Sequence, residues 1–262
     1  MRRAGAIALA ILAMMGPAAA ETVQLYAAGS LREALTDAAK AYQAASGNIV
    51  QARFGASGTL KGEIAGGAKA DVFASANMEH PQALHDAGKS GPVTRFARNT
   101  LCALVKPGLA VTSANLLERM LDPNVKLGTS TPQADPSGDY AFEAFYKAEA
   151  IKPGAQAALG KKALKLTGAK DSAQPPAGRM VYGWHVAEGR ADIFLTYCTN
   201  ALAAQKQYPG QQMVALPGSL AVGADYGLTV INGAPPAAQA SAFISSPEGQ
   251  KILVSHDFAP GK

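Results

Sequence analysis

An α/β protein of two units, each a mostly parallel sheet flanked by helices, with a ligand cleft between the units, is what this sequence predicts. Three observations lead there. Strand-like and helix-like segments alternate along the chain. The alternation runs as two series rather than one. The 262 residues are long for one small domain and suit two lobes of about 100–120 residues each. Hydrophobic residues make up 48% of the chain and charged residues 16%, which gives material for two cores and argues against global disorder.

The first series begins with a buried strand at Val23–Ala28. Ser30 to Ala44 follows as an amphipathic helix, because Leu31, Ala34, Leu35, Ala38 and Tyr42 recur at helical spacing. Ile49–Phe54 reads as a second strand, Thr59–Ala65 as a helix stopped by Gly66-Gly67, and Asp71–Ala74 as a third strand before a helical Pro81–Ala87. After an extended segment at Thr100–Lys106 the second series starts. It comprises strands at Leu127–Thr129, Asp192–Tyr197, Met213–Leu216 and Gly227–Ile231, and helices at Asp139–Ala148 and Met180–Glu188. Residues 237–256 read as helix interrupted around Ser245–Glu248. No Gly/Ser or Pro-rich tether separates the series, so extended crossings join the lobes. The expected division is residues 21–102, completed by 226–262, for lobe 1, and 103–225 for lobe 2. Ligands of such sheets sit at the carboxyl ends of strands and in clefts between lobes.

Residues 1–20 are set apart from the fold. Met1-Arg2-Arg3 is a basic start, Ala4–Met15 an apolar run too short to span a bilayer well, and Ala18-Ala19-Ala20 a small-residue cleavage pattern. This reads as a signal peptide cleaved after Ala20, with an uncleaved anchor as the alternative. No cysteine follows the cleavage point, so lipid attachment is not indicated. No other run reaches membrane-spanning length, so the mature chain is expected to be a soluble, exported protein. In an oxidising compartment Cys102 and Cys198 can pair. Buried free thiols are the alternative, and the sequence leaves both open, because Cα separation is not legible in it.

The net charge of +5 comes from scattered residues. The short cluster Lys161-Lys162 with Lys165 is no basic stripe interleaved with aromatics, so nucleic acid is not the expected partner. A mildly positive surface suits an anionic ligand.

Three strand-to-helix junctions share one chemical style. They are Ala27-Ala28-Gly29-Ser30-Leu31-Arg32-Glu33, Phe54-Gly55-Ala56-Ser57-Gly58-Thr59-Leu60 and Asp135-Pro136-Ser137-Gly138-Asp139-Tyr140. Each places a small hydroxyl residue beside glycine at a helix entrance. Ser30 and Glu33 have capping-box spacing. A helix N-terminus leaves N–H donors unpaired and carries partial positive charge, so several of them converging can hold an oxyanion. Taken singly, each serine reads first as a helix-start device. Tyr197, at the end of its strand, combines a core ring with a hydroxyl donor.

Leu25-Tyr26-Ala27-Ala28-Gly29-Ser30-Leu31, Phe54–Leu60, Ala70-Asp71-Val72-Phe73-Ala74-Ser75-Ala76, Asn99-Thr100-Leu101 and Tyr197 resemble, in order and spacing, the periplasmic molybdate-binding proteins of ABC importers. The resemblance spans the mature chain and is loosest in its middle. It implies a two-lobed type II periplasmic binding protein that closes on molybdate or tungstate and hands it to an ABC permease and its ATPase, with no cofactor and as a monomer. It places Ser30 and Ser57 as hydroxyl donors, Ser137 as a backbone donor and Tyr197 as a further hydroxyl donor. One stretch departs: in Pro175-Pro176-Ala177-Gly178-Arg179-Met180 the matched position is Arg179. Its amide could serve as a donor, and an inward guanidinium would add charge; an Arg turned to solvent is the alternative.

Other classes fit less well. Phosphate with its proton needs an acceptor, for which Asp139 is the candidate. Sulfate needs none. Ferric binding would want clustered tyrosines and carboxylates. For an exported hydrolase, Gly55-Ala56-Ser57-Gly58-Thr59 is not a Gly-x-Ser-x-Gly turn, and His80, His85, His185 and His256 show no base or metal spacing.

Overall fold

A computed structural model describes residues 20–261. The leader expected over residues 1–20 therefore lies outside the described residues except for Ala20. Among the described residues no helix is long and apolar enough to cross a membrane.

Strand β1 (Thr22–Ala28) leads through a 3-10 turn, Gly29–Leu31, into helix α1 (Arg32–Ser46). Leu31 and the α1 residues Ala34, Leu35, Ala38 and Tyr42 are buried on one face, the stripe the spacing predicts. Gly47 ends the helix at φ 78, its N–H reaching Gln43 O at 2.9 Å, a left-handed cap that glycine adopts without strain. Strand β2 (Ile49–Gly55), α2 (Ser57–Ala65), β3 (Val72–Ser75) and α3 (Glu79–Asp86) complete the first series.

The second comprises β4 (Thr94–Val105), α4 (Leu116–Leu121), β5 (Leu127–Ser130), α5 (Pro136–Glu149), α6 (Ala155–Lys162), β6 (Leu164–Thr167), α7 (Val181–Ala187), β7 (Ile193–Tyr197), α8 (Cys198–Gln207) and β8 (Gln212–Ala215). Strand β9 (Gly223–Val230), α9 (Pro235–Ser245), α10 (Pro247–Ser255) and the short β10 (Ala259–Pro260) close the chain. Ser246 marks the interruption between α9 and α10. Its backbone is extended, and its hydroxyl accepts from Gly249 N at 3.2 Å to start the next helix.

One curled sheet runs β2-β1-β3-β9-β4-β7-β5-β6. At one end β2, β1 and β3 are parallel, and at the other β6, β5 and β7 are. Strand β4 belongs to both halves. Thr94–Thr100 pairs with β9, and Leu101–Val105 pairs with β7 and β8, all antiparallel. A chain that crosses between halves and returns needs such antiparallel strands, since only the βαβ units give parallel neighbours. The central strands β3, β5 and β7 are buried on both faces, as expected where helices cover both sides. One core gathers β1, α1, Tyr226, α9 and Phe258; another gathers Val105, Leu116, Phe145, Leu159 and Leu195; Tyr140 packs against both.

Cys102 on β4 and Cys198 at the start of α8 form a disulfide, with Cα atoms 4.8 Å apart and 96 residues separating them in sequence. The free-thiol alternative is thereby removed.

Candidate functional site

A cleft of about 430 Å³ opens where the parallel strands of both sheet halves end. One wall is the turn after β1 and the turn after β2. The other is Asp135, Thr167–Lys170, the loop into α7, and Tyr197.

Ser30 sits inside the 3-10 turn rather than at a helix cap. The capping-box expectation for Ser30 and Glu33 is therefore not met. The 3-10 turn runs straight into α1 at Arg32, and the Ser30 hydroxyl instead lies 2.9 Å from Tyr226 Oη. Asn99 Nδ2 donates to Tyr226 Oη at 3.3 Å and to Thr199 Oγ1 at 2.9 Å. A tyrosine has one proton. With Asn99 donating to its oxygen, Tyr226 can pass that proton's hydrogen bond to Ser30 Oγ, which leaves the serine proton for the cleft.

Ser57 is the first residue of α2 and is 1% exposed. Its Oγ accepts from Ala76 N–H at 3.1 Å, and among the described residues its proton has no protein acceptor. The first-turn amides of α2 divide. Gly58 N–H donates to Ala134 O at 2.9 Å and Thr59 N–H to the same oxygen at 3.4 Å, while the Ser57 amide begins the helix and has no intrahelical partner.

Tyr197 lines the cleft floor, with its hydroxyl donating to Ala76 O at 3.1 Å. Burial holds the phenol protonated, far above its ordinary range. Ala76 thus ties two cleft residues together, its N–H on Ser57 and its C=O on Tyr197. As placed, Tyr197 would have to turn its hydroxyl away from Ala76 to reach a ligand.

Arg179 lines the cleft rim, but its amide donates to Pro176 O at 3.1 Å and its guanidinium lies over the Tyr208 ring, 5.7 Å from the centroid. The backbone donor considered at this position is committed to a turn. Ser137 does not line the cleft. It is fully buried, and its N–H donates to Asp135 Oδ1 at 3.1 Å, because Asp135 caps α5 ahead of Pro136. The amide expected to face a ligand is therefore occupied by a carboxylate.

Asp135 itself is the residue sequence reasoning passed over. Asp139, the acceptor considered, instead accepts Gln133 N–H at 2.8 Å within its own loop. Burial pushes the Asp135 carboxyl up to about 6, although the hydrogen bond from the Ser137 amide favours its ionised form. The D-P-S run carried the cue, since Asp before a first-position proline is an N-cap pattern.

The rim is cationic. Arg32, Arg53, Lys170 and Arg179 line it, with Glu63 paired to Arg53 at 2.6 Å. Such a rim concentrates anions at the mouth, while neutral hydroxyls and amides wait below.

The chain matches the bacterial extracellular solute-binding protein family over residues 23–259. The uncharacterized protein PM1146 of Pasteurella multocida is 33% identical over 207 residues, which cover 79% of this chain and 86% of that one. Among solved structures, the periplasmic molybdate-binding protein of Azotobacter vinelandii aligns with a TM-score of 0.72 at 18% identity, covering 90% of this chain and 98% of that one. The sulfate-binding protein SubI of Mycobacterium tuberculosis aligns with a TM-score of 0.73 at 18% identity, covering 92% and 87%. These two neighbours share the fold and differ in the anion they bind.

Proposed function

We propose, from the premise that this chain belongs to the bacterial extracellular solute-binding protein family, that it captures a small tetrahedral oxyanion and delivers it to an ABC permease and its ATPase. Molybdate or tungstate is the first candidate, on the sequence resemblance. The protein acts in the periplasm after loss of residues 1–20, as a monomer. The observation that carries the reading is the state of Ser30 and Ser57. Each can have its oxygen satisfied by a protein donor, Tyr226 and Ala76 N–H respectively, leaving a hydroxyl proton to donate. Both stand at helix starts, beneath a cationic rim. A fully ionised oxyanion has only acceptors to offer, and this arrangement presents donors. Residues 21–102 with 226–262 would form one jaw and residues 103–225 the other, closing by a hinge.

Titration calorimetry and thermal melts with molybdate, tungstate, sulfate and phosphate test the reading. A ligand at 100 times its dissociation constant is expected to stabilise the protein by about 2.7 kcal/mol. No heat and no thermal shift with any of the four would end it.

Ser57→Ala separates binding from folding. A hydrogen bond to a charged partner contributes about 1.5–3 kcal/mol, so affinity should fall about ten- to hundredfold. The Ala76 N–H loses its acceptor, at about 1 kcal/mol of stability, and the variant should still melt cooperatively. Unchanged affinity would remove Ser57 from the site.

A further inference from the structure

Asp135 is the buried carboxyl group of a cleft whose other carboxylate, Glu63, is paired with Arg53 at the rim. It is 9% exposed, and its Oδ1 is held by the Ser137 amide. The charged and titratable groups around it can be named. Asp139 on α5 adds to its reluctance to ionise, and among the described residues no cation relieves it. Tyr182 on α7 and Tyr197 on β7 face it as phenols that burial keeps neutral. Arg32, Arg53, Lys170 and Arg179 stand at the rim of the same cleft.

An ionised carboxylate can only accept hydrogen bonds, and so can a fully ionised oxyanion. Two such groups in one partly desolvated cleft repel, and the cheapest relief is protonation of the carboxylate. Hydrogen phosphate differs, because it carries a P–OH that an ionised carboxylate can accept. Resting on the oxyanion reading above, we propose that Asp135 sets ligand specificity by proton count. Hydrogen phosphate binds with Asp135 ionised and accepting the ligand's proton. Molybdate, tungstate or sulfate binds only as Asp135 takes one proton from solvent and donates it to the ligand.

Calorimetry of the wild-type protein at about pH 8, in two buffers of different ionisation heat, counts the protons. About one proton taken up per molybdate, and close to none per phosphate, is the expected result. Between about pH 6 and 8 wild-type affinity for molybdate should fall roughly fiftyfold, as the carboxyl with a value near 6 empties and must be refilled on binding. Asp135→Asn keeps an oxygen for the Ser137 amide and removes the charge. Its molybdate affinity should vary less than about threefold over that range, and its preference for molybdate over phosphate at pH 8 should rise at least about tenfold.

Molybdate binding without proton uptake, and with the same pH profile in both proteins, would overturn the role of Asp135 while leaving the oxyanion site standing. Failure of all four oxyanions to bind either protein at either pH would overturn both readings. Should Asp135→Asn fail to fold, the wild-type proton count decides alone.

Discussion

Removing the Cys102–Cys198 bond, by reduction or by the paired changes Cys102→Ala and Cys198→Ala, is expected to lower the unfolding free energy by about 3–5 kcal/mol. The bond closes a loop of 96 residues, and the chain-entropy account gives about 4.7 kcal/mol for a loop near that length. It joins β4 to the N-terminus of α8 inside a core that includes Leu104, Tyr182, Phe194 and Ala201. That core backs the cleft floor, because Cys198 follows Tyr197 directly and Cys102 lies in register with Thr196. Urea unfolding of oxidised, reduced and double-variant protein gives the comparison. The midpoint should drop in both altered forms. A loss under about 1 kcal/mol would mean that the unfolded chain is already restricted without the bond.

The strand–helix alternation was legible because α1 carries apolar residues at helical spacing, β1 alternates and β3 is a short apolar run, with Gly-rich turns between them. Helix α8 carries none, and sequence reasoning passed over it. Its buried face is Thr199, Asn200, Ala201 and Ala204, small or polar residues that give no hydrophobic stripe. Asn200 is satisfied by Thr196 Oγ1 at 3.0 Å, a partner outside the helix. Strand β6, four residues at the sheet edge and half exposed, was hidden by its brevity.

The site divides in the same way. The cleft positions of Ser30 and Ser57 follow from local Gly/Ser turns. What orients Ser30 does not, since Tyr226 lies 196 positions away and Asn99 reaches Tyr226 from a third element. Ser137 shows the opposite case. The local signal is the preceding aspartate, whose capping bond takes the Ser137 amide.

Gly58→Ala is expected to weaken ligand binding by about ten- to hundredfold while leaving the folded protein nearly as stable as before. Gly58 is the second residue of α2, and its N–H donates across the cleft to Ala134 O. A Cβ built there would lie 2.1 Å from Gln133 O and 2.8 Å from Ala134 O. Those atoms are backbone, and they cannot swing aside as a side-chain end would. Gln133 is already held at φ 68 with its N–H on Asp139, so the loop has little freedom to retreat. The relief left is to part the two walls, breaking the Gly58–Ala134 bond and the Thr59 Oγ1 bond to Gly168 O at 3.3 Å. Overpacking of this kind costs about 1–3 kcal/mol. If the ligand-holding state is the one in which the walls touch, affinity falls by the fraction of that state lost, and 1.4 kcal/mol is tenfold. Alanine also raises helix propensity over glycine by up to about 1 kcal/mol, so the isolated protein need not pay for the parting. Calorimetry and small-angle scattering together separate this from a damaged site. Ser57→Ala should bind weakly yet still compact at saturating ligand, whereas Gly58→Ala should bind weakly and compact less. A Gly58→Ala protein that binds within about threefold of wild type would show that wall contact at Gly58 is no part of holding the ligand.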